Sequence, residues 1–177
     1  MTLRDAAAQL GVSRTALYRH FKDKTALLAR VALAGFRIFR MALQDAVDSA
    51  RKNGSDPIAA MGVAYVNFAM ANQSHYKTMF SGAIADWSEY PGLELEADGA
   101  FTVLVKTIVE EQQAGRVIEG DPLPLANVVW AGVHGLATLG MAGHLDPRDG
   151  GKLDLDGLAH VHARIMRYGL SKAGRAT

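Results

Sequence analysis

The chain has no cysteine. That excludes disulfides, thiolate metal sites and cysteine nucleophiles, and it fits a reducing compartment. Proline is scarce, at 5 of 177 residues, and aromatics reach only 7%. With few ring side chains and no alternating apolar pattern, the composition leans helical and away from sandwiches and barrels. No basic-then-apolar leader opens the sequence, so a cytoplasmic location is expected. Several kinds of chemistry are also missing. There is no Ser-His-Asp order, no paired-carboxylate spacing and no phosphate loop, so an enzyme is not expected. His160 and His162 are two residues apart and point in different directions on a helix, so no metal site and no cofactor are expected.

What is present is ordinary globular material, 49% hydrophobic and 21% charged, rich in alanine and leucine. The net charge of +1 hides an asymmetry: residues 1–40 carry a balance of +6 and residues 41–177 a balance of −5. A basic head on an acidic body suggests that the head meets a polyanion.

Punctuation residues divide the chain into helices. Thr2 and Asp5 have capping-box-like spacing before a helix over residues 3–10. Gly11 ends it, and Ser13 caps a second short helix over residues 14–20. Two short helices joined by a tight glycine-containing turn are the mark of a helix-turn-helix. A long helix is expected from near Asp23 to Lys52, with Leu27, Leu28, Val31, Ile38, Phe39, Leu43 and Val47 inward and a gap around Gly35. Asp56-Pro57 starts a helix to about Ala71, and a short one follows over residues 75–81. Pro91-Gly92 reads as a break. Phe101, Leu104, Val105, Ile108 and Val109 form a helical stripe ending at Gly115. The last helices follow Asp121-Pro122, to Met141, and run from Leu155 to Leu170.

Residues 122–145 contain no Asp, Glu, Lys or Arg. The stretch is long enough for a membrane span, but Pro124, Asn127, His134, His144 and four glycines argue against one. A helix apolar all round is more often buried or covered by another subunit. The expected assembly is therefore a homodimer through the helix between Leu123 and Met141 and the helix between Leu155 and Leu170. Gly132, Gly135 and Gly140 would allow close approach there, with Val133 and Leu136 in the seam.

The second helix of a helix-turn-helix enters the major groove and reads bases with its N-terminal residues. Here these are Arg14, Thr15 and Ala16, with Ser13 at the cap and Arg19 a turn further on. Arginine forks onto guanine, and a threonine methyl contacts the thymine methyl. Thr2, Tyr18, His20 and Lys24 are candidate phosphate donors. A helix pair with an accidental basic face is the alternative for this unit alone.

The run LRDAAAQLGVSRTALYRHFKDKTALL, residues 3–28, resembles the DNA-binding region of TetR-type transcriptional repressors. It agrees at Ala7, Gly11, Val12, Ser13, Leu17, Tyr18, His20, Phe21, Lys24, Leu27 and Leu28. Trp130, His134 and Gly135 resemble the Trp-x-x-x-His-Gly motif of one subfamily's C-terminal domain, and the stretch from Tyr76 to Phe80 is also similar to it. The resemblance implies an all-α fold: an N-terminal helix-turn-helix over residues 1–44, then an effector-binding and dimerisation bundle over residues 45–177. It also implies a further helix ahead of Leu3, which the chain lacks, leaving Leu10, Leu17 and Phe21 without their usual cover. A repressor is implied, binding palindromic double-stranded operator DNA as a dimer and released by a small apolar or aromatic effector. In the family layout the middle helices enclose a cavity, which places Phe68, Met79, Phe80, Trp87, Phe101, Val105, Trp130 and His134 as its lining. The other readings are a dimeric ligand-binding helical protein that does not bind DNA, and a helix-turn-helix that binds a protein partner.

Overall fold

A computed structural model describes residues 20–145 and 153–170. These form six helices: α1 (Lys24–Lys52), α2 (Pro57–Ala71), α3 (Gln73–Phe80), α4 (Pro91–Gln113), α5 (Pro122–Met141) and α6 (Leu155–Leu170). No strand occurs among the described residues. The expected helix-turn-helix, with Leu10 and Leu17, lies outside them; Phe21 is half-buried.

Aspartates set most of the helix starts. The Asp23 carboxylate accepts the Ala26 N–H at 2.8 Å, Asp56 those of Ile58 and Ala59 at 2.9 and 3.3 Å, and Asp121 that of Leu123 at 3.0 Å. Each satisfies amide donors that a helix leaves unpaired at its start. Pro57 and Pro122 stand in the first turn, where a missing N–H costs nothing. Pro91 does the same for α4. The Pro91-Gly92 pair is therefore a helix start, not the break expected from the dipeptide alone.

Helix α2 meets all five other helices. Its 15 residues carry no charge, and Ile58, Met61, Tyr65, Val66, Phe68 and Ala69 are all buried. On one side it packs on α1, which also holds α3 and α4; elsewhere it receives α5 and α6. The inward line of α1 runs through Ala29, Ala32, Gly35, Phe36, Phe39, Leu43 and Val47. Ile38, expected inside, points outward, because Gly35 is a contact and not a gap. A Cβ at Gly35 would lie 2.6 Å from Met79 Sδ and 3.1 Å from His75 Cβ.

By length and composition α5 is the one helix among the described residues that could cross a membrane. In the fold it is tied into the protein through His134 and the buried Val129 and Val133 on its inner face. Two of its glycines serve α6 of the same chain: a Cβ at Gly132 would strike the His162 ring, and one at Gly140 would strike Leu155. Gly135 faces open space.

A charged cluster locks the far end. The Glu111 carboxylate of α4 is 2% exposed. Arg116 donates to both its oxygens at 2.7 Å. Arg167 of α6 approaches it to 3.9 Å and reaches the Asp56 carboxylate at 3.4 Å. The two bonds from Arg116 hold the Glu111 carboxyl below the usual carboxylate range, against the opposing effect of burial. A carboxylate whose folded pKa is depressed stabilises above its unfolded value, about 4.3, and loses that contribution as pH falls through the folded value. Glu111→Gln is therefore expected to lose about 1–3 kcal/mol at pH 7. The deficit relative to the unchanged protein should shrink as pH falls below about 4. Urea unfolding followed by circular dichroism at pH 7, 5 and 3.5 measures it; a deficit independent of pH would remove Glu111 from this role.

Candidate functional site

Helices α1, α2, α4 and α5 enclose a cavity of about 480 Å³, closed at one end by α3 and the loop after it. From α1 come Phe36, Phe39 and Leu43; from α2, Ile58, Met61, Gly62 and Tyr65. Met79, Phe80, Gly82 and Trp87 form the α3 end. Helix α4 adds Ala97, Asp98, Ala100, Phe101 and Leu104, and α5 adds Asn127, Val129, Trp130 and Val133. Seven of the twenty lining residues are aromatic, and their rings brace one another. Phe36 meets Phe80 and Trp87 edge-on with centroids 5.7 Å apart, and Phe101 meets Trp130 at 5.9 Å. The Trp87 indole N–H donates to the Ile84 carbonyl at 3.0 Å, which fixes the ring on a loop. Gly82, Asp98 and Asn127 are exposed and mark the side open to water.

Part of this wall belongs to a polar knot. The Tyr65 and Tyr76 hydroxyls each stand 2.8 Å from His134 Nδ1 and 3.1 Å from each other. The Trp130 indole donates to the Tyr65 hydroxyl at 3.3 Å. One direction satisfies every group: Trp130 N–H to Tyr65, Tyr65 to Tyr76, and Tyr76 to an unprotonated His134 Nδ1. Burial supports this assignment, since it lowers the His134 pKa and favours the neutral ring. Burial likewise raises both tyrosine hydroxyls, so they stay protonated. The knot joins α2, α3 and α5; Tyr65 and Trp130 belong to both the knot and the cavity wall, while Tyr76 and His134 lie behind them.

Of the eight residues expected to line a pocket, Met79, Phe80, Trp87, Phe101 and Trp130 line this cavity. Phe68 lies behind Phe39, with ring centroids 4.9 Å apart. Val105 packs at the edge of the core, and His134 belongs to the polar knot. Periodicity marked Phe39 as inward but not as cavity lining, and it did not single out Phe36, Met61 or Tyr65. The missed signal was the charge-free run of α2, which marks it as the helix that the others surround. Of the expected DNA contacts, Thr2, Ser13, Arg14, Thr15, Ala16, Tyr18 and Arg19 lie outside the described residues; His20 and Lys24 are exposed. Close by, Lys22 pairs with Glu89 at 2.9 Å and lies 5.8 Å from the centre of the Tyr90 ring.

The knot makes a stability prediction. His134→Phe keeps a ring but removes the imidazole acceptor, leaving the Tyr76 hydroxyl proton without it. It should cost about 1–3 kcal/mol. Adding Tyr76→Phe should cost less than the sum of the two single changes, because the hydroxyl left unpaired is then gone. Urea unfolding of the three variants measures this; strictly additive losses would mean that the hydrogen bond is not formed.

Comparison with known proteins places this geometry. The family model for the C-terminal domain of tetracyclin repressor-like proteins matches residues 58–165, and that for bacterial regulatory proteins of the tetR family matches residues 1–31. Among solved structures, a protein of unknown function from a Rhodococcus species is 31% identical, with a TM-score of 0.78 over 97% of this chain and 86% of that one. The TetR family transcriptional regulator PfmR from Thermus thermophilus is 18% identical, with a TM-score of 0.76 over 97% of this chain and 90% of that one. The transcriptional regulator FadR from Bacillus subtilis, solved in complex with stearoyl-CoA, is 16% identical, with a TM-score of 0.75 over 96% of this chain and 89% of that one. At such identities the last two show the fold alone. No curated protein matches. The all-helical bundle, the helix-turn-helix pattern ahead of it and the two family matches along the chain lead to one identification: the protein belongs to the TetR family of transcriptional regulators, DNA-binding proteins and not enzymes, with the helical ligand-binding type of C-terminal domain.

Proposed function

We propose that this regulator is a cytoplasmic repressor that binds palindromic operator DNA as a homodimer and is released by a small apolar or aromatic effector in the 480 Å³ cavity. The observation that carries the reading is that α1 forms one wall of that cavity and also continues from the DNA-binding region. Met79 lines the cavity and rests on Gly35 of α1. An effector that displaces Met79 or Phe80 would therefore push directly on the helix leading to the recognition unit. A ligand that prefers one spacing of the two recognition helices then shifts the population away from the operator-binding form. The stearoyl-CoA bound by the B. subtilis neighbour is a precedent within the fold for a ligand with a long apolar part. The division into residues 1–44 and 45–177 falls within α1, so both parts share that helix.

The dimer would form through α5 and α6. Val128 is 63% exposed on α5, with Leu123 and Leu139 also outward; on α6, Ile165 is 58% exposed, beside Leu158, Val161 and Tyr168. Positions 158, 161, 165 and 168 lie on one helical face. An isologous pairing of this face gives each subunit one recognition helix for a two-fold operator. Val133 and Leu136 are unsuited to probing this seam. Val133 lines the cavity, and Leu136 packs on the core.

Two experiments test the reading. In the full-length protein, Arg14→Ala should cost about 1–3 kcal/mol and relax base preference at one operator position, while Lys24→Ala should weaken all DNA about equally. Fluorescence anisotropy on DNA upstream of the protein's own gene, against random DNA at several salt concentrations, measures both. Equal loss on both DNAs for Arg14→Ala would take it out of base reading; no salt-dependent binding at all would favour a ligand-binding protein without DNA activity. For assembly, the unchanged protein should sediment as a dimer at micromolar concentration. Val128→Asp or Ile165→Asp should give monomers or aggregates, as expected for a contact burying about 2,000 Å². A monodisperse monomer before any substitution would refute the dimer.

A further inference from the structure

The cavity carries a charge preference that its apolar character conceals. Among its lining residues the only ionised side chain is the Asp98 carboxylate, and no Lys, Arg or His lines it. The neighbouring acid on α4, Glu96, is held by Arg37 and Arg40, each donating at 2.9 Å. Asp98 has no ion pair or hydrogen bond among the described residues. The cations nearby lie on the other side of α4, where Arg40, Arg51 and Lys106 line a second, polar cavity. Helix α4 thus lies between a groove whose Arg40 and Arg51 are paired with Glu96 and Glu110 and an aromatic-rich chamber with a lone carboxylate at its exposed side.

From this juxtaposition we propose that the effector is a lipophilic organic cation: an aromatic body held among Phe36, Phe80, Phe101, Trp87 and Trp130, with its positive charge near Asp98. This deepens the effector-release reading and rests on it. Ring faces carry a negative quadrupole, so an aromatic enclosure attracts a desolvated cation more than a neutral group of the same shape, and quaternary ammonium groups are bound this way elsewhere. The carboxylate adds a direct attraction, moderated by its exposure to water. An anionic head placed there would meet Asp98 with nothing to offset it, which disfavours carboxylate and phosphate ligands at this mouth. A neutral ligand would leave Asp98 to be partly dehydrated by the bound body without a counter-charge.

The protein's two tryptophans, Trp87 and Trp130, both line the cavity, so intrinsic fluorescence reports occupancy directly. The probes are three 4′-hydroxybiphenyls that differ at one position: trimethylammonium, its uncharged isostere tert-butyl, and carboxylate. The full-length protein should bind the ammonium compound at least about tenfold more tightly than the tert-butyl compound, with the carboxylate weakest. Asp98→Asn, an exposed change checked by circular dichroism, should bring the ammonium compound to within about threefold of the tert-butyl one, while leaving the tert-butyl affinity unchanged. If the tert-butyl compound binds as tightly as the ammonium, or Asp98→Asn leaves the ammonium affinity unaltered, the charge assignment is overturned and the apolar effector pocket stands. If none of the three changes the tryptophan emission or the melting temperature, the pocket reading falls with it.

Discussion

Gly35 has no side chain, and the close approach this permits connects the parts of the molecule on which regulation depends. A glycine inside a helix costs about 1 kcal/mol relative to alanine. Here any Cβ would collide with Met79 Sδ and crowd His75 Cβ. The space lets α3 lie directly on α1. Helix α3 has only eight residues, too few to persist alone, so packing decides its position. Its inward residues then do three things at once: Tyr76 joins the polar knot, Phe80 walls the cavity, and Met79 both walls the cavity and rests on α1. A change in cavity contents is felt by a helix whose firmest seat is the one leading to the DNA-binding region.

Much of this was legible in the sequence, and the reasons can be read from single residues. Asp23, Asp56 and Asp121 announce helix starts because a carboxylate two or three residues ahead of free amides has an obvious partner. The charge-free stretch after Asp121 announced a helix with more apolar surface than one core can cover. Pro91 was less legible, since the same residue ends one element or begins another; here Leu93 is buried while the Tyr90 backbone is not helical, so the helix begins there. Ile38 and Gly35 misled the apolar pattern of α1, because size at a position says nothing of how close a neighbour comes. Glu111 was illegible, since an acid in a helix looks solvated until Arg116 folds back from the turn after the helix and Arg167 arrives from α6.

The candidate site shows where periodicity runs out. It identifies a helix face only when the opposite face is polar, and α2 and α5 are apolar nearly all round. Five of the eight residues expected in the cavity are there because large aromatic and Met side chains in the middle of such a chain have few other places to go. Val133 turned out to face the cavity, and the glycines of α5 turned out to serve contacts within the chain. Gly132 and Gly140 draw α6 onto α5, and the pair then presents Val128 and Ile165 outward together. What the sequence offered as a feature of the dimer is first a feature of the monomer, which shapes the face that a second subunit would cover.

The closure of the polar knot on itself bears on how a ligand is distinguished. The hydroxyls of Tyr65 and Tyr76 and the imidazole of His134 satisfy one another at the cavity wall, so they offer an incoming ligand few free hydrogen-bonding groups. A buried polar set left unpaired would bind polar ligands strongly and would reject apolar ones for lack of a partner. With that set closed on itself, discrimination falls to ring faces, cavity shape and the charge at the mouth. The weakest link is the 3.3 Å bond from Trp130 to Tyr65, and Trp130 is also the ring that reaches both the cavity and the outer part of α5. A ligand that rotates this indole breaks one long hydrogen bond, at a net cost of about 1 kcal/mol, and moves a side chain on the proposed dimer helix. In the proposed dimer, an effector would reach the second subunit through Trp130 and α1 through Met79, two side chains that line one cavity.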